Sequence, residues 1–253
     1  MLQALTEWFY GLPIVEWFIA LLPRLHRAFI EGDRWKLYLD GLLTTLELTV
    51  VALIAGVVLG VVVAVIRTAH DQQRPGRRKN IFLGILNGIC KVYTTVIRGT
   101  PMMVQILIWG FVIFASSRNK FMVGVVALGI NSGAYVAEIV RGGLMSVDMG
   151  QMEAGRSLGL GYLDTMRFIV IPQAFKNILP SLGNEFITLF KDTSLVNTIG
   201  AAELTYQAMR IGGRTFDYMP PLIGSALMYL VIVIVFTWLQ GKLERRLRQS
   251  DRR

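Results

Sequence analysis

Residues 48–66 read LTVVALIAGVVLGVVVAVI, which is 19 consecutive residues without Asp, Glu, Lys or Arg. A helix that crosses the hydrocarbon core of a bilayer needs ~20 mainly apolar residues. Similar uncharged runs occupy residues 99–117, 121–137 and 218–241. Of the 253 residues, 53% are hydrophobic and only 17% are charged, which excludes disorder and argues against an ordinary soluble domain. The sequence predicts an all-α, polytopic membrane protein.

Basic residues cluster at the ends of these apolar runs. The formal net charge is +9, with five Lys or Arg residues between 67 and 79 and six between 242 and 253. The positive-inside rule places both clusters on the cytoplasmic side, so an even number of crossings separates them. This distribution argues against a nucleic acid partner. It predicts that the amino terminus lies outside and the carboxyl terminus inside.

Five spanning helices satisfy this parity. The predicted spans are about 42–66, part of 80–117, 121–141, 182–199 and from 218 onward. The weakest is 182–199, because it contains three charged residues. The 38 residues of 80–117 would reach ~57 Å as one helix, which exceeds the thickness of a bilayer core. We therefore expect the first half to lie along the membrane surface and a new helix to start at Gly99-Thr100-Pro101, with Pro101 in its first turn.

The predicted organisation has three parts. Residues 1–36 form an amino-terminal extracytoplasmic or interfacial segment. Residues 37–248 form a transmembrane domain with a cytoplasmic loop at about 142–174, and 249–253 form a cytoplasmic tail. Residues 8–30 resemble an interfacial helix rich in Trp and Phe, because one Glu and two Pro residues interrupt the apolar stretch. A sixth crossing by this segment is the alternative.

Pairs of glycines four positions apart occur at three places in the predicted helices. They are Gly56/Gly60, Gly84/Gly88 and Gly129/Gly133. In a membrane, this spacing lets helix backbones approach closely. Because glycine is common in membrane helices, each pair is either a helix contact or a chance occurrence.

The long loop between the third and fourth spans carries the most informative pattern. Residues 151–161 read QMEAGRSLGLG, and residues 168–174 read FIVIPQA. The pattern predicts a short amphipathic helix stopped by Gly159 and Gly161, a second short helix, and a return to the membrane at a proline. A short helix held at the membrane face is typical of a docking element for a soluble partner. A solvated connector without a partner would show the same spacing.

In the order of its residues, this loop resembles the cytoplasmic loop of the membrane subunit of type I ABC importers. The loop of that family carries Glu-Ala-Ala, then a glycine, then Ile-x-Leu-Pro. The matching positions are Glu153, Ala154, Gly155, Gly159, Ile169, Ile171 and Pro172. Gly155 replaces the last alanine and Ile171 replaces the leucine, and both changes are conservative in volume. The resemblance implies that an ATP-binding subunit is contacted and coupled through Glu153, Ala154, Gly155 and Gly159.

The resemblance is closest to the polar amino acid uptake branch of this family, the histidine, glutamine and arginine permeases, and it covers about residues 38–248. It rests on RGTP at 98–101 with VQ at 104–105, NSGAYVAEI at 131–139, LPSLGNEF at 179–186 and KDTSL at 191–195. It implies about five spanning helices in the bacterial inner membrane. It also implies a second permease subunit, identical or homologous, two ATP-binding subunits, and an extracytoplasmic amino acid binding protein.

The sequence shows no means of binding ATP or of covalent chemistry. It has no Gly-x4-Gly-Lys-Ser/Thr phosphate loop, no His-Glu-x-x-His motif and no cysteine pair, since Cys90 is the single cysteine. We therefore expect a transport subunit without a cofactor or metal of its own, with ATP and Mg bound by the partner ATPase. The resemblance implies import of a polar or cationic amino acid. A secondary transporter driven by an ion gradient is the alternative, but it would not need a glycine-stopped docking helix.

Polar residues on two predicted spans form a candidate substrate path. Asn131, Tyr135 and Glu138 are spaced by four and three positions and therefore share one helical face. A second stripe, on the fourth span, comprises Ser181, Glu185, Thr188, Lys191 and Asp192. Ionisable side chains within a span cost ~2.5 to 3.5 kcal/mol each and usually face a cavity or a partner. The surplus of acidic groups predicts a neutral polar or cationic substrate.

Each of these predictions has a structural alternative. Lys191 and Asp192 would also fit a structural ion pair, and Glu138 would fit a position at the cytoplasmic exit beside Arg141. A hinge that flexes during alternating access is predicted at Arg98, Gly99, Thr100 and Pro101. The alternative for Arg98 is simple anchoring to lipid head groups.

Overall fold

The computed structural model describes residues 13–73 and 80–250, with side chains at 21–73 and 80–247. Regular structure in these residues is entirely helical, which confirms the predicted all-α class. The α-helices are α1 Pro13–Phe29, α2 Arg34–Asp71, α3 Ile81–Gly99, α4 Met102–Ile108, α5 Lys120–Met145, α6 Met149–Ser157, α7 Tyr162–Thr165, α8 Ile171–Asp192, α9 Leu204–Thr215 and α10 Met219–Ser250. Trp109–Ile113 and Met166–Val170 are π-helical, and Glu31–Asp33 and Thr193–Ile199 form 3-10 helices.

The described residues divide into two compact units. The first unit contains the described residues up to Thr45 together with Ala202–Ile232. The second unit contains Leu46–Ala201 and the described residues from Val233 onward. The predicted boundary between residues 36 and 37 lies in the first turn of α2, so no helix ends there.

Four helices of the described residues are long and apolar enough to cross a membrane. They are Glu31–Asp71, Ile81–Gly99, Lys120–Met145 and Met219–Leu247. The second of these is the first half of 80–117, so the segment expected along the membrane surface is also long and apolar enough to cross the membrane. The 19 residues of α3 qualify as a span because only Lys91 and Arg98 among them are charged. The helical segment Met102–Ile113 is too short to cross a bilayer alone.

Helix α8 takes the place of the predicted weak span. It starts at Ile171 and ends at Asp192, whereas the prediction ran from 182 to 199. It is not among the four candidate spans of the described residues, as its four charged residues lead one to expect. Winding is continuous from Tyr162 to Asp192, so Pro172 lies in the first turn of α8 and does not break the chain there.

Glycines allow α2 and α5 to pack closely within the second unit. A Cβ atom at Gly56 would lie 2.9 Å from the Cβ of Ser132, and one at Gly60 would lie 2.7 Å from Val136. On α5, a Cβ at Gly129 would lie 3.1 Å from Ala55. These contacts confirm two of the three predicted small-residue pairs. The pair Gly84/Gly88 meets no atom within 4 Å, so no close approach exists there in the described residues.

Helix α9, in the first unit, begins at a buried carboxylate. Glu203 is fully buried and lies at the N-cap, where it accepts hydrogen bonds from the backbone N–H groups of Thr205 at 2.8 Å and Tyr206 at 2.7 Å. The hydroxyl of Tyr229 donates a third hydrogen bond at 2.8 Å. The apolar core beside this cap is formed by Tyr38, Leu204, Ala208 and Ile211. This arrangement fixes the direction of α9.

Helix α1 is tied to the turn between α9 and α10. Its 17 residues are fewer than in any of the four candidate spans, and residues 8–12 of the predicted interfacial segment lie outside the described part of the chain. The Arg24 guanidinium donates two hydrogen bonds to Asp217, at 2.6 and 2.7 Å. This bond holds the pKa of Asp217 below its ordinary value. Phe29 stacks on Tyr38 with ring centroids 4.9 Å apart.

Candidate functional site

The predicted substrate-path residues of α5 and α8, together with Ser132, lie in the second unit, and we name this set the polar seam. Its members are Asn131, Ser132, Tyr135 and Glu138 on α5 and Ser181, Glu185, Thr188, Lys191 and Asp192 on α8. The fully buried Ser132 donates a hydrogen bond to Glu185 at 2.7 Å. No cation lies within 4 Å of the Glu185 carboxylate in the part of the chain whose side chains are described. Glu185 is therefore available to a cationic group from outside the chain.

The remaining polar residues of α8 differ in their exposure. Ser181 and Asp192 are half-buried, whereas Thr188 and Lys191 are exposed. Lys191 and Asp192 form no ion pair within 4 Å, either with each other or with another described side chain. The structural ion pair considered as an alternative for these two residues is therefore not present in the described structure.

The predicted hinge is a break between α3 and α4. Helix α3 ends at Gly99, and Thr100 is extended, with φ −118° and ψ 146°. Pro101 is extended as well, with φ −64° and ψ 133°, and α4 begins at Met102. Pro101 thus occupies the N-cap and not the first turn, which corrects the prediction. Its fixed φ suits both positions, so the sequence alone did not separate them.

A buried glutamine bridges this break. The Nε2 group of Gln105 donates to the carbonyl of Ile97 at 2.7 Å and to the Oγ1 and carbonyl of Thr100 at 2.8 and 3.1 Å. Its Oε1 atom accepts a hydrogen bond from Asn131 at 3.0 Å. Both Gln105 and Asn131 are buried. The end of α3, the start of α4 and the middle of α5 are therefore joined through one side chain.

Arg98 and Tyr135 form a second contact between the break and α5. The guanidinium carbon of Arg98 lies 5.3 Å from the centroid of the Tyr135 ring, a distance typical of a cation–π contact. Both side chains are exposed. Anchoring to lipid head groups does not by itself explain this geometry, since Arg98 rests on another helix. Two predicted sets, the hinge and the substrate path, are thus in contact.

Glu138 lies in an ion-pair network that joins α2, α3 and α5. Its carboxylate accepts a short hydrogen bond from Arg67 and lies 3.4 Å from Arg141. Arg67 also donates to Thr94 at 3.3 Å, and Arg141 lies 3.7 Å from Asp71. With two arginine partners, Glu138 is already neutralised by the chain itself. The geometry resembles the alternative in which Glu138 sits beside Arg141.

We name the loop of residues 142–174 the coupling loop. Its conformation depends on close packing and an unusual backbone angle at two glycines. Asp148 caps α6 by accepting from the N–H of Gly150 at 2.6 Å, so Glu153 does not serve as the cap. A Cβ at Gly155 would lie 2.5 Å from the Cγ2 of Thr165. Gly159 has φ +81°, which favours glycine at the end of α6.

The outer face of the coupling loop is exposed. Glu153 and Ala154 are both exposed, as are the apolar side chains of Met149, Leu158 and Leu163. Exposed apolar side chains that are grouped on one face are typical of a protein interaction site. Beside the loop lies a cavity of about 470 Å³, with Glu153 on its wall. The loop therefore offers an apolar docking face with a carboxylate next to it.

Sequence reasoning missed three residues that organise this site. Ser132 holds Glu185, Gln105 bridges the helix break, and Arg67 pairs with Glu138. Ser132 and Gln105 stand within or beside the motifs that carry the family resemblance. The position of Ser132 next to Asn131 in the same motif was the signal that the sequence offered. Nothing in the sequence distinguishes Arg67 from the other basic residues of the cluster at 67–79.

Comparison with known proteins identifies the family of this chain. Residues 80–249 match the family described as the inner membrane component of binding-protein-dependent transport systems. The arginine transport system permease protein ArtQ of Bacillus subtilis is 38% identical, over 84% of this chain and 93% of its own length. The glutamine transport system permease protein GlnP of Escherichia coli shows the same identity and coverage. The arginine permease protein ArgU of Corynebacterium glutamicum is 33% identical over 95% of this chain and 78% of its own length.

Solved structures show the same fold. An amino acid ABC transporter crystallised with histidines is 42% identical, with a TM-score of 0.74 over 83% of this chain and 94% of its own. The methionine ABC transporter MetNI in an inward-facing conformation is only 19% identical but has a TM-score of 0.71, over 86% of this chain and 99% of its own. The chain therefore belongs to the family of inner membrane components of binding-protein-dependent transport systems, as a permease subunit with the type I ABC importer fold.

Proposed function

We propose that this chain imports a polar or cationic amino acid as one half of a permease pair. The second permease subunit is an identical or homologous chain, and the pair binds two ATP-binding subunits. ATP and Mg bind to those subunits, and this chain hydrolyses nothing. An extracytoplasmic binding protein delivers the amino acid. The assembly lies in the bacterial inner membrane, surrounded by lipid.

The coupling loop is the observation that carries this proposal. Gly155 packs against Thr165, and the positive φ of Gly159 ends α6 at a fixed place. The rigid helix exposes Glu153 and, beside it, apolar residues such as Met149. A transporter that has no soluble ATP-binding subunit would not need such a docking face. An exposed, rigid apolar face is what an ATP-binding subunit needs in order to push on the membrane helices.

Glu185 supports a substrate with a positively charged group. An amino acid always carries an ammonium, and a cationic side chain adds a second positive charge. Glu185 accepts from Ser132 and meets no cation in the described residues, so it can receive either group. Two of the relatives are named as arginine permeases and one as a glutamine permease. Arginine and glutamine are therefore the first substrates to test.

The distribution of charge supports the sidedness. The basic clusters at 67–79 and 242–253 favour a cytoplasmic position for the end of α2 and for the carboxyl terminus. The amino terminus then lies outside. In this topology the coupling loop is cytoplasmic, and α8 crosses the bilayer before α9 begins. Helix α9 accordingly lies on the extracytoplasmic side.

The test is uptake by the complete transporter in proteoliposomes. The chain is purified with its ATP-binding subunit, and soluble binding proteins specific for arginine or for glutamine are supplied outside. Radiolabelled arginine or glutamine is then followed with internal ATP present or absent. We expect uptake that requires both internal ATP and one binding protein.

Ion gradients are clamped in a parallel experiment. Valinomycin, together with a proton ionophore, removes the membrane potential and the proton gradient, and equal sodium on both sides removes the sodium gradient. Uptake that continues without ATP and stops when the gradients are removed would contradict the proposal. It would favour a secondary transporter instead. Failure of both binding proteins to support uptake would leave the family intact and reject the arginine and glutamine substrates.

A further inference from the structure

Phe216 stands out at the end of α9. Its side chain is 93% exposed, more than any other large apolar side chain that the structure describes. Its backbone has φ +52° and ψ +28°, a left-handed conformation that residues other than glycine rarely adopt. An exposed phenyl ring in this conformation contributes little to the stability of its own chain. This combination of exposure and unusual backbone conformation suggests that Phe216 contacts another molecule.

The backbone around Phe216 is held by contacts on both sides. The N–H of Asp217 donates to the carbonyl of Gly212 at 3.2 Å. Tyr218 packs on the same glycine, where a Cβ would lie 2.5 Å from its Cδ1 atom. The carboxylate of Asp217 accepts two hydrogen bonds from Arg24 of α1. Helix α1 therefore braces the turn that presents Phe216.

The surface around Phe216 has the composition of a protein interface. We name it the Phe216 corner, and its members are Met209, Arg210, Arg214, Phe216 and Tyr218, all of them exposed. Aromatic residues, Met and Arg are the types enriched in the buried centres of protein interfaces, and Tyr and Arg are frequent among hot spots. Helix α9 itself contains two arginines and no acidic residue. Acidic groups on a partner would complement these two positive charges.

We propose that the Phe216 corner is a docking surface for an acidic region of the extracytoplasmic binding protein, and that α1 is its brace. This inference rests on the proposed function, which places α9 outside and requires a binding protein. The exposed face of α9 carries Met209, Arg210, Gly213 and Arg214. Two arginines on this face are costly to bury in the hydrocarbon core, so we expect a soluble protein to contact it. A fixed backbone at Phe216 also suits a partner of defined shape.

The test uses the complete transporter in nanodiscs of phosphatidylcholine, a lipid without net charge. The probe is the binding protein that supports uptake in the proteoliposome assay, loaded with its amino acid. ATP hydrolysis is measured against the concentration of this protein. The main variant is Phe216→Gly, because glycine accepts the positive φ and only the side chain is lost. We expect the concentration for half-maximal stimulation to rise at least tenfold, and the melting temperature to equal or exceed that of the wild type.

Two further variants examine charge and the brace. Arg210→Glu combined with Arg214→Glu is expected to raise the half-maximal concentration at least tenfold. The wild-type value should rise with salt, and this rise should disappear in the doubly substituted chain, because screening then no longer weakens an attraction. Arg24→Gln leaves the corner intact but releases Asp217, so we expect a smaller increase of about threefold.

Trp35→Ala is the matched control. Trp35 is an exposed aromatic residue of the same unit and lies outside the Phe216 corner, so its loss should leave the stimulation curve unchanged. A Phe216→Gly curve that superimposes on the wild-type curve would overturn the docking surface. An effect of Phe216→Gly that appears only in nanodiscs with anionic lipid would also overturn the docking surface, since the Phe216 corner would then contact lipid. If the binding protein that supports uptake does not stimulate ATP hydrolysis by the wild-type transporter, the proposed ATP-driven function itself fails.

Discussion

Glu185 is held by Ser132 and meets no cation in the described residues. Replacement by glutamine keeps an oxygen that accepts from Ser132 and removes only the negative charge. If Glu185 binds a positive group of the substrate, Glu185→Gln should lower the initial rate of arginine uptake at least tenfold and lower glutamine uptake less. The measurement is uptake of both amino acids by proteoliposomes. Equal rates and an unchanged preference would place the binding site elsewhere, on the Asn131 face alone.

Ser132→Ala separates position from charge at the same site. It removes the hydrogen bond to Glu185 but leaves the carboxylate in place. We expect a smaller loss of arginine uptake, within about a few fold, because the net contribution of one hydrogen bond is ~0.5–1.5 kcal/mol. Complex assembly, followed by gel filtration, should be normal in both variants. A Ser132→Ala defect as large as that of Glu185→Gln would indicate that orientation dominates.

Gly155 is the residue on which the rigidity of the coupling loop depends. A Cβ there would lie 2.5 Å from the Cγ2 and 2.8 Å from the Oγ1 of Thr165. Gly155→Ala should therefore destabilise the loop by ~1–3 kcal/mol and reduce substrate-stimulated ATP hydrolysis. Thr165→Ala removes both clashing atoms, so the double variant should regain most of the stimulation. No recovery in the double variant would mean that the glycine is needed for another reason.

Among the elements, the break between α3 and α4 depends on one amide. Gln105 donates to Ile97 and Thr100 and accepts from Asn131. Gln105→Leu would remove these hydrogen bonds and leave the amide of the buried Asn131 without this partner, at a cost of ~1–3 kcal/mol for each group that water cannot reach. We expect a lower melting temperature and slower transport. Gln105→Asn, which keeps the amide on a shorter side chain, is the matched variant. Its melting temperature and transport rate should lie between those of the wild type and those of Gln105→Leu.

The elements also show how far the sequence predicts this structure. Apolar runs predict α2, α5 and α10, and glycine spacing predicts the contact of Gly56 with α5, because length and spacing are local properties. The end of α3 at Gly99 was predicted, but the start of α8 at Ile171 was not. A hydropathy criterion does not detect α8 because this helix contains four charged residues. The bridge formed by Gln105 joins three elements, so no local pattern predicts it.

In the whole molecule, α5 links the candidate binding site to the coupling loop. Along one helix it carries Asn131, which contacts the break, Ser132, which holds Glu185, and Glu138, which joins the arginine network. Helix α5 ends at Met145, three residues before the cap of α6 at Asp148. All these residues lie in one compact unit. Movement of the coupling loop can therefore reach the polar seam through a single rigid helix.

The last prediction concerns this transmission and depends on Gly159. Its φ of +81° is unfavourable for side chains, yet a Cβ there would meet no atom within 4 Å. The constraint is thus conformational and not steric. Asn tolerates positive φ far better than β-branched residues do. We expect Gly159→Asn to keep most of the substrate-stimulated ATP hydrolysis and Gly159→Val to abolish it, with both proteins inserted in the membrane. Equal loss in the two variants would show that the ATP-binding subunit contacts Gly159 directly, and equal retention would show that the turn does not transmit the nucleotide state.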